Sequence, residues 1–164
     1  MYPSIKLVKQ FSYFHSGGSV TDKQFIAKAS IAIDTPVDIV WDAFTNPKTI
    51  KQYMFGTNTV SDWKEGSSII WKGEWQGKTY EDKGVILKFD PNRMLQYSYF
   101  SPLSGQPDVP EHYHIVTIEL SGQGEHTHVS LRQDNNANDS DREQSEKNWE
   151  MLLVSLKKLL EKSK

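Results

Sequence analysis

There is no cysteine among the 164 residues. That excludes disulfides and thiolate metal sites and makes a reducing compartment the natural expectation. No apolar run approaches the roughly 18 residues that a membrane-spanning helix needs. The opening "MYPSIKLVKQFSYFHSGG" lacks the continuous apolar stretch of a secretory signal. Charge of one sign is also scarce: the net charge is −2 and the basic residues are dispersed, so a nucleic-acid partner is not expected. A G-x-S-x-G elbow, a phosphate-binding loop and an H-E-x-x-H helix are all missing. These absences leave a soluble, cytoplasmic protein of one domain, long enough to bury a core without staples.

Aromatic side chains, by contrast, are plentiful at 12%, and that surplus has to be placed. The stretch "TPVDIVWDAFTNPKTIKQYMF" (35–55) reads as two short consecutive helices. Thr35-Pro36 opens the first, with Thr35 as cap, Pro36 in the first turn and Asp38 at the positive end; Asn46-Pro47 repeats the signal. Before it, "FIAKASIAI" (25–33) alternates as a strand. Residues 1–24 read as an N-terminal appendage, an extra strand or a linker around "HSGGS". After the helices come six strand-like runs, "TNTVSDW", "SSIIWKGEW", "KTYEDKGVILKF", "MLQYSYF", "HYHIVTIEL" and "HTHVSLRQ", divided by turn signals. Short turns between strands imply an antiparallel meander. A long helix closes the chain, with Ser140 and Glu143 as a capping box and Trp149, Leu152, Leu153, Leu156, Leu159 and Leu160 as its apolar stripe. The predicted fold is α+β: a curved seven-stranded antiparallel sheet gripping the C-terminal helix, whose stripe needs an apolar sheet face.

That order, with "TPVDIVWDAFTNPKTIKQYM", "EGSSIIW", "KGVILKFDPNRMLQYSYF" and "NWEMLLVSLKKLLE", resembles the START-like superfamily (SRPBCC, the birch-pollen-allergen fold). Within it, the chain resembles the family of the C-terminal domain of the heat-shock-protein-90 ATPase activator. The resemblance implies a helix-grip domain over residues 25–164 and one of three roles. These are binding of an apolar small molecule or lipid, a co-chaperone module contacting and activating a heat-shock-protein-90 ATPase, and a small-molecule cyclase or hydrolase. The family's motifs mark its framework and carry over no catalytic residue.

Period-two alternation then sorts the strands by face. Ile69 with Trp71, Tyr80 with Asp82 and Ile86, Leu95 with Tyr97 and Tyr99, and His114 with Val116 and Ile118 turn toward the terminal helix. Large amphipathic aromatics on one concave face suit a pocket wall as well as a core. The expected ligand-binding set is Trp41, Phe44, Tyr53, Trp71, Tyr80, Tyr97, Tyr99, His114, Trp149 and Leu153, with Met54 helping the helical pair to close one end. Asp82 and His114 are the polar exceptions and the one candidate catalytic pair. The "HYH" and "HTH" pairs raise a metal site, but the expected register sends His128 outward, leaves His126 at the turn and turns His112 and His114 inward at the far end of their strand. Neither a metal nor a cofactor is therefore expected. The Pro-rich connection "SPLSGQPDVPE" (101–111) is expected to gate the cavity mouth. Small-molecule binding is the primary reading, ahead of catalysis and of a chaperone partner.

Overall fold

The computed structural model describes residues 25–162; the expectations for residues 1–24 lie outside them. Strand β1 (Phe25–Ile33) leads into α1 (Val37–Thr45) and α2 (Pro47–Tyr53). Strands β2 (Asn58–Ser61), β3 (Ser68–Trp75), β4 (Lys78–Asp90) and β5 (Met94–Tyr99) follow. Two 3₁₀ turns (Pro102–Ser104 and Pro110–His112) precede β6 (His114–Gln123) and β7 (His126–Asn136), and α3 (Asp139–Lys162) ends the fold. The sheet order is β1-β7-β6-β5-β4-β3-β2, every pair antiparallel. This is the seven-stranded meander expected from the turn signals, with β1 returning beside β7. No described helix is long and apolar enough to cross a membrane.

Local chemistry sets the corners. At the β3–β4 hairpin Gln76 and Gly77 both take positive φ, 51° and 80°, while Trp75 pairs with Lys78. That is the backbone of a two-residue type I′ turn, whose twist matches the strands. At Gly84 the backbone of β4 approaches β5 so closely that a Cβ would fall 1.7 Å from the Ser98 carbonyl oxygen. A register irregularity between Ile86 and Lys88 then bends β4, as bulges do.

Helix α3 covers β1, an edge strand. Its carboxylates take the strand's outward amides: Glu146 Oε2 accepts from the Lys28 N–H at 3.0 Å and Glu161 Oε2 from the Asp34 N–H at 2.8 Å. Lys157 Nζ donates to the Ala32 carbonyl at 2.7 Å. An exposed edge is thereby capped by side chains instead of being left open to pairing. Leu152, Leu153 and Leu156 of α3 are buried against Ile33, Val129 and Leu131 of the sheet in one core. Helices α1 and α2 add Val40, Trp41, Ala43, Phe44, Ile50 and Tyr53 to it. The Tyr53 hydroxyl donates to the Ala43 carbonyl at 2.7 Å and pins the two helices together.

Three expectations need correction. Thr35 does not cap α1: its hydroxyl is buried without a partner, and its carbonyl accepts from Thr127 Oγ1 at 2.7 Å. That bond ties Thr35 to the end of β7 and leaves Pro36 at the cap position, with no side-chain cap. The second signal held, since Asn46 Oδ1 accepts from the Lys48 N–H at 3.0 Å. For α3, Ser140 and Glu143 form no capping box. The helix starts earlier, and Asn138 Oδ1 accepts from the Asp141 N–H at 2.8 Å. His112 does not turn inward, because β6 begins at His114 and His112 sits in a 3₁₀ turn with Nδ1 2.7 Å from the Pro107 carbonyl.

Candidate functional site

Strands β3, β4 and β5 bring their inward aromatics side by side. Trp71 lies with its ring centroid 5.1 Å from Tyr97 and 5.3 Å from Tyr99. Tyr80 crosses over Gly73, the residue beside it in β3, and only a side chain as small as hydrogen leaves that room. Its hydroxyl meets Thr57 Oγ1 at 2.6 Å. Helix α3 faces this wall with Trp149, whose indole N–H donates to Gln133 Oε1 at 2.7 Å.

Between wall and helix lies an open cavity of about 470 Å³, lined by Trp71, Tyr80, Asp82, Tyr97, Tyr99 and Trp149 among others. That volume falls in the range of small-molecule sites, roughly 300–1,000 Å³. A second space of about 30 Å³ is lined by Phe44, Ile50 and Tyr53 together with Trp71 and Tyr97. The mouth is rimmed by three large apolar side chains at loop tips: Phe55 (65% exposed), Trp75 (59%) and Leu103 (55%).

The sequence-predicted residues thus fall into three groups. Trp71, Tyr80, Tyr97, Tyr99 and Trp149 line the main cavity. Phe44 and Tyr53 line the smaller space, and Met54 touches both. Trp41, Leu153 and His114 line neither. Trp41 packs edge-on against Phe89 at 5.2 Å, Leu153 is core, and His114 stands behind Tyr99 with ring centroids 6.4 Å apart.

Asp82 and His114 are not hydrogen-bonded to each other. Asp82 Oδ2 accepts from the Tyr99 hydroxyl at 2.5 Å, and His114 Nδ1 lies 2.8 Å from the Asp134 carbonyl. Asp82 is 8% exposed, and its Oδ1 has no hydrogen-bond partner. Burial raises the Asp82 carboxyl above the ordinary carboxylate value, opposed by the hydroxyls of Tyr99 and Ser101. Burial likewise pushes the Tyr97 hydroxyl up. It raises Tyr99 too, where the Asp82 charge adds to it. Both phenols therefore stay neutral donors. The remaining histidines are scattered: His126 Nδ1 lies 2.7 Å from Asp34 Oδ1, and His128 is exposed on β7.

Several lining residues escaped the sequence reading, and some were within its reach. Trp75 shares parity with Trp71, and Gln133 with Val129 and Leu131. Ser145 and Asn148 continue the Trp149–Leu152 stripe at helical spacing as its polar end. Phe55 gave no such signal: it reaches the mouth through a left-handed backbone, φ 54°, which few non-glycine residues adopt.

Residues 34–161 match the family model described as Activator of Hsp90 ATPase homolog 1-like protein. The chain is 54% identical to ChR145 from Cytophaga hutchinsonii, known from a solution structure. That comparison covers 84% of this chain and 94% of the other, with a TM-score of 0.75. CalU16 from Micromonospora echinospora is similar at 23% identity, over 84% of this chain and 82% of its own, with a TM-score of 0.63. The Aha1 dimer from Colwellia psychrerythraea is similar at 19% identity, over 82% and 95%, with a TM-score of 0.64. Likenesses as distant as these last two speak for the fold alone. No curated protein matches the sequence.

Proposed function

The chain belongs to the Activator of Hsp90 ATPase homolog 1-like family, and from that premise we propose that it binds a small, largely apolar molecule between its sheet and α3. The observation that carries this reading is the cavity of about 470 Å³ walled by Trp71, Tyr80, Tyr97, Tyr99 and Trp149. A core built only for stability closes such space, because interiors pack to the density of organic crystals. Here an opening is left between the sheet's rings and Trp149 of α3, and polar tips are held by neighbours, as Tyr80 is by Thr57 and Trp149 by Gln133.

Tryptophan fluorescence tests the reading, since Trp71, Trp75 and Trp149 all border the space. A hydrophobic probe should quench saturably near one-to-one stoichiometry, be displaced by a second apolar compound, and bind more weakly to Trp71→Ala. Non-saturating quenching across lipids, aromatics and polyketide-like compounds would remove the binding reading.

A second reading, a module that contacts a chaperone ATPase, is favoured by the outer face of α3. Met151 and Val154 are exposed there, three residues apart on one face. A pull-down with the cell's own heat-shock protein 90, lost in the charge substitution Met151→Glu with Val154→Glu, would support that reading over the first.

A further inference from the structure

Resting on the binding reading above, we propose that the cavity selects a ligand carrying a protonated amine, received by Asp82 among the aromatic walls. Among the described residues, Asp82 is the one Asp, Glu, Lys, Arg or His in the lining. The other polar groups there are largely paired with protein: Thr57 with Tyr80, Gln133 with Trp149, Ser145 with Asn136. Asp82 Oδ1 is the exception: it has no hydrogen bond while Oδ2 is occupied by Tyr99, and because it is itself buried, an incoming donor reaches it as the Asp82 side chain turns toward the opening. A buried carboxylate with an empty acceptor and no cation beside it is costly unless something supplies the partner.

Ligand charge then decides between classes. A carboxylate or phosphate ligand would meet no Lys, Arg or His among the described lining residues and would be repelled by Asp82. A neutral alcohol would supply a donor but leave the buried charge uncompensated. An ammonium group does both, through a charge-assisted hydrogen bond to Asp82. Its charge also meets aromatic rings, since Tyr97 and Tyr99 line the cavity with Trp71, 5.1 and 5.3 Å from it. Cations over such faces are attracted by the ring quadrupole. The ligand class is an amine on a flat, apolar body.

The experiment is calorimetric titration at neutral pH with naphthylmethylamine, naphthylmethanol and naphthylacetate, which share one ring system. The amine should bind about tenfold or more tightly than the alcohol, and the carboxylate most weakly. In Asp82→Asn the amine should fall to the level of the alcohol, whose own affinity stays put. Should that variant not fold, wild-type protein decides. Amine affinity should drop on acidification as Asp82 takes up its proton, while alcohol affinity stays flat. Equal affinities, a preference for the carboxylate, or an amine preference that survives in Asp82→Asn overturns the proposal while leaving apolar binding intact. If no probe binds saturably, the binding reading and this one fall together.

Discussion

The Tyr99 hydroxyl holds Asp82 Oδ2 at 2.5 Å across neighbouring strands, while Asp82 Oδ1 is buried without a hydrogen bond. This half-satisfied carboxyl has a consequence for stability. Its pKa is raised from the ordinary 3.8 chiefly by burial, so the folded state holds the proton more tightly than the unfolded chain does. Between the unfolded value and the raised folded value, stability therefore falls as pH rises, and the loss persists at neutral pH. Asp82→Asn keeps an acceptor for Tyr99 and removes the charge. The variant should melt higher than wild type at pH 7, and the gap should close below pH of about 3.8, where the aspartic acid is protonated in both states. Paired thermal melts across that range check it; a variant less stable at pH 7 than at acid pH, relative to wild type, contradicts it. A group that lowers stability yet sits in a cavity wall fits a binding role better than a structural one.

Truncations separate wall from core. Leu156 is fully buried between α3 and the sheet, and Leu156→Ala should cost about 2–5 kcal/mol by the lost transfer energy and the void left behind. Trp71 is larger, but one side of its ring faces space that is already empty. Trp71→Ala removes fewer packed neighbours and should cost no more than Leu156→Ala despite deleting far more atoms. Urea unfolding of the two variants measures the comparison. A loss at Trp71 well above that at Leu156 would mean a solid core.

Most of the architecture was legible because it rests on period and punctuation. Alternation exposed each strand, Asp90-Pro91-Asn92 and Gln76-Gly77 marked the turns, and the leucine stripe of α3 matched its buried face. What failed were single hydrogen bonds. Thr35 and Ser140 carry good capping chemistry, but Thr127 claims the backbone of the first and Asn138 pre-empts the second. The cavity lining was legible where one strand's parity decides it, as at Trp71, Tyr97 and Tyr99. It was not legible where two elements must meet. Pairing Asp82 with His114 required knowing that Tyr99 takes the carboxylate and that the Asp134 carbonyl takes the imidazole. Trp41 has the composition of a pocket residue, yet its neighbour is Phe89 of the bent end of β4.

Gly84, in the middle of β4, sets how closely that strand approaches β5. With no side chain it lets the Ser98 carbonyl come within what would be 1.7 Å of a Cβ, and the Ser98 hydroxyl accepts from the Val85 N–H at 3.0 Å. Gly84→Ala has no flexible side chain to push aside, only backbone. The two strands would separate where Tyr97 and Tyr99 enter the cavity, so both stability and probe binding should be lost. Soluble expression and circular dichroism of the variant measure this. Wild-type melting in Gly84→Ala would show that the strands can spread without cost.

The connection from Ser101 to Glu111 is anchored in its second half. Asp108 pairs with Lys83 and accepts from the Tyr113 hydroxyl at 2.7 Å, and Tyr113 stacks on Phe100 at 5.1 Å. These contacts hold the 108–113 side to the outer face of the sheet, away from the cavity. The 102–106 side carries Leu103, which is 55% exposed yet lines the cavity mouth. A side chain so exposed contributes little to folding, so Leu103→Ala should shift stability by no more than about 0.5 kcal/mol. Its place in the lining gives it leverage on exchange, together with Phe55 and Trp75, which are likewise exposed lining residues. Stopped-flow dissociation of a bound hydrophobic probe should therefore be several-fold faster in Leu103→Ala and faster still when residues 102–106 are shortened with Asp108 retained. The Lys83→Ala variant supplies the contrast: it loosens the anchored half and should lower stability more than it changes dissociation. Unchanged dissociation in both loop variants would remove the gate, and equal losses of rate control and stability would make the loop part of the framework.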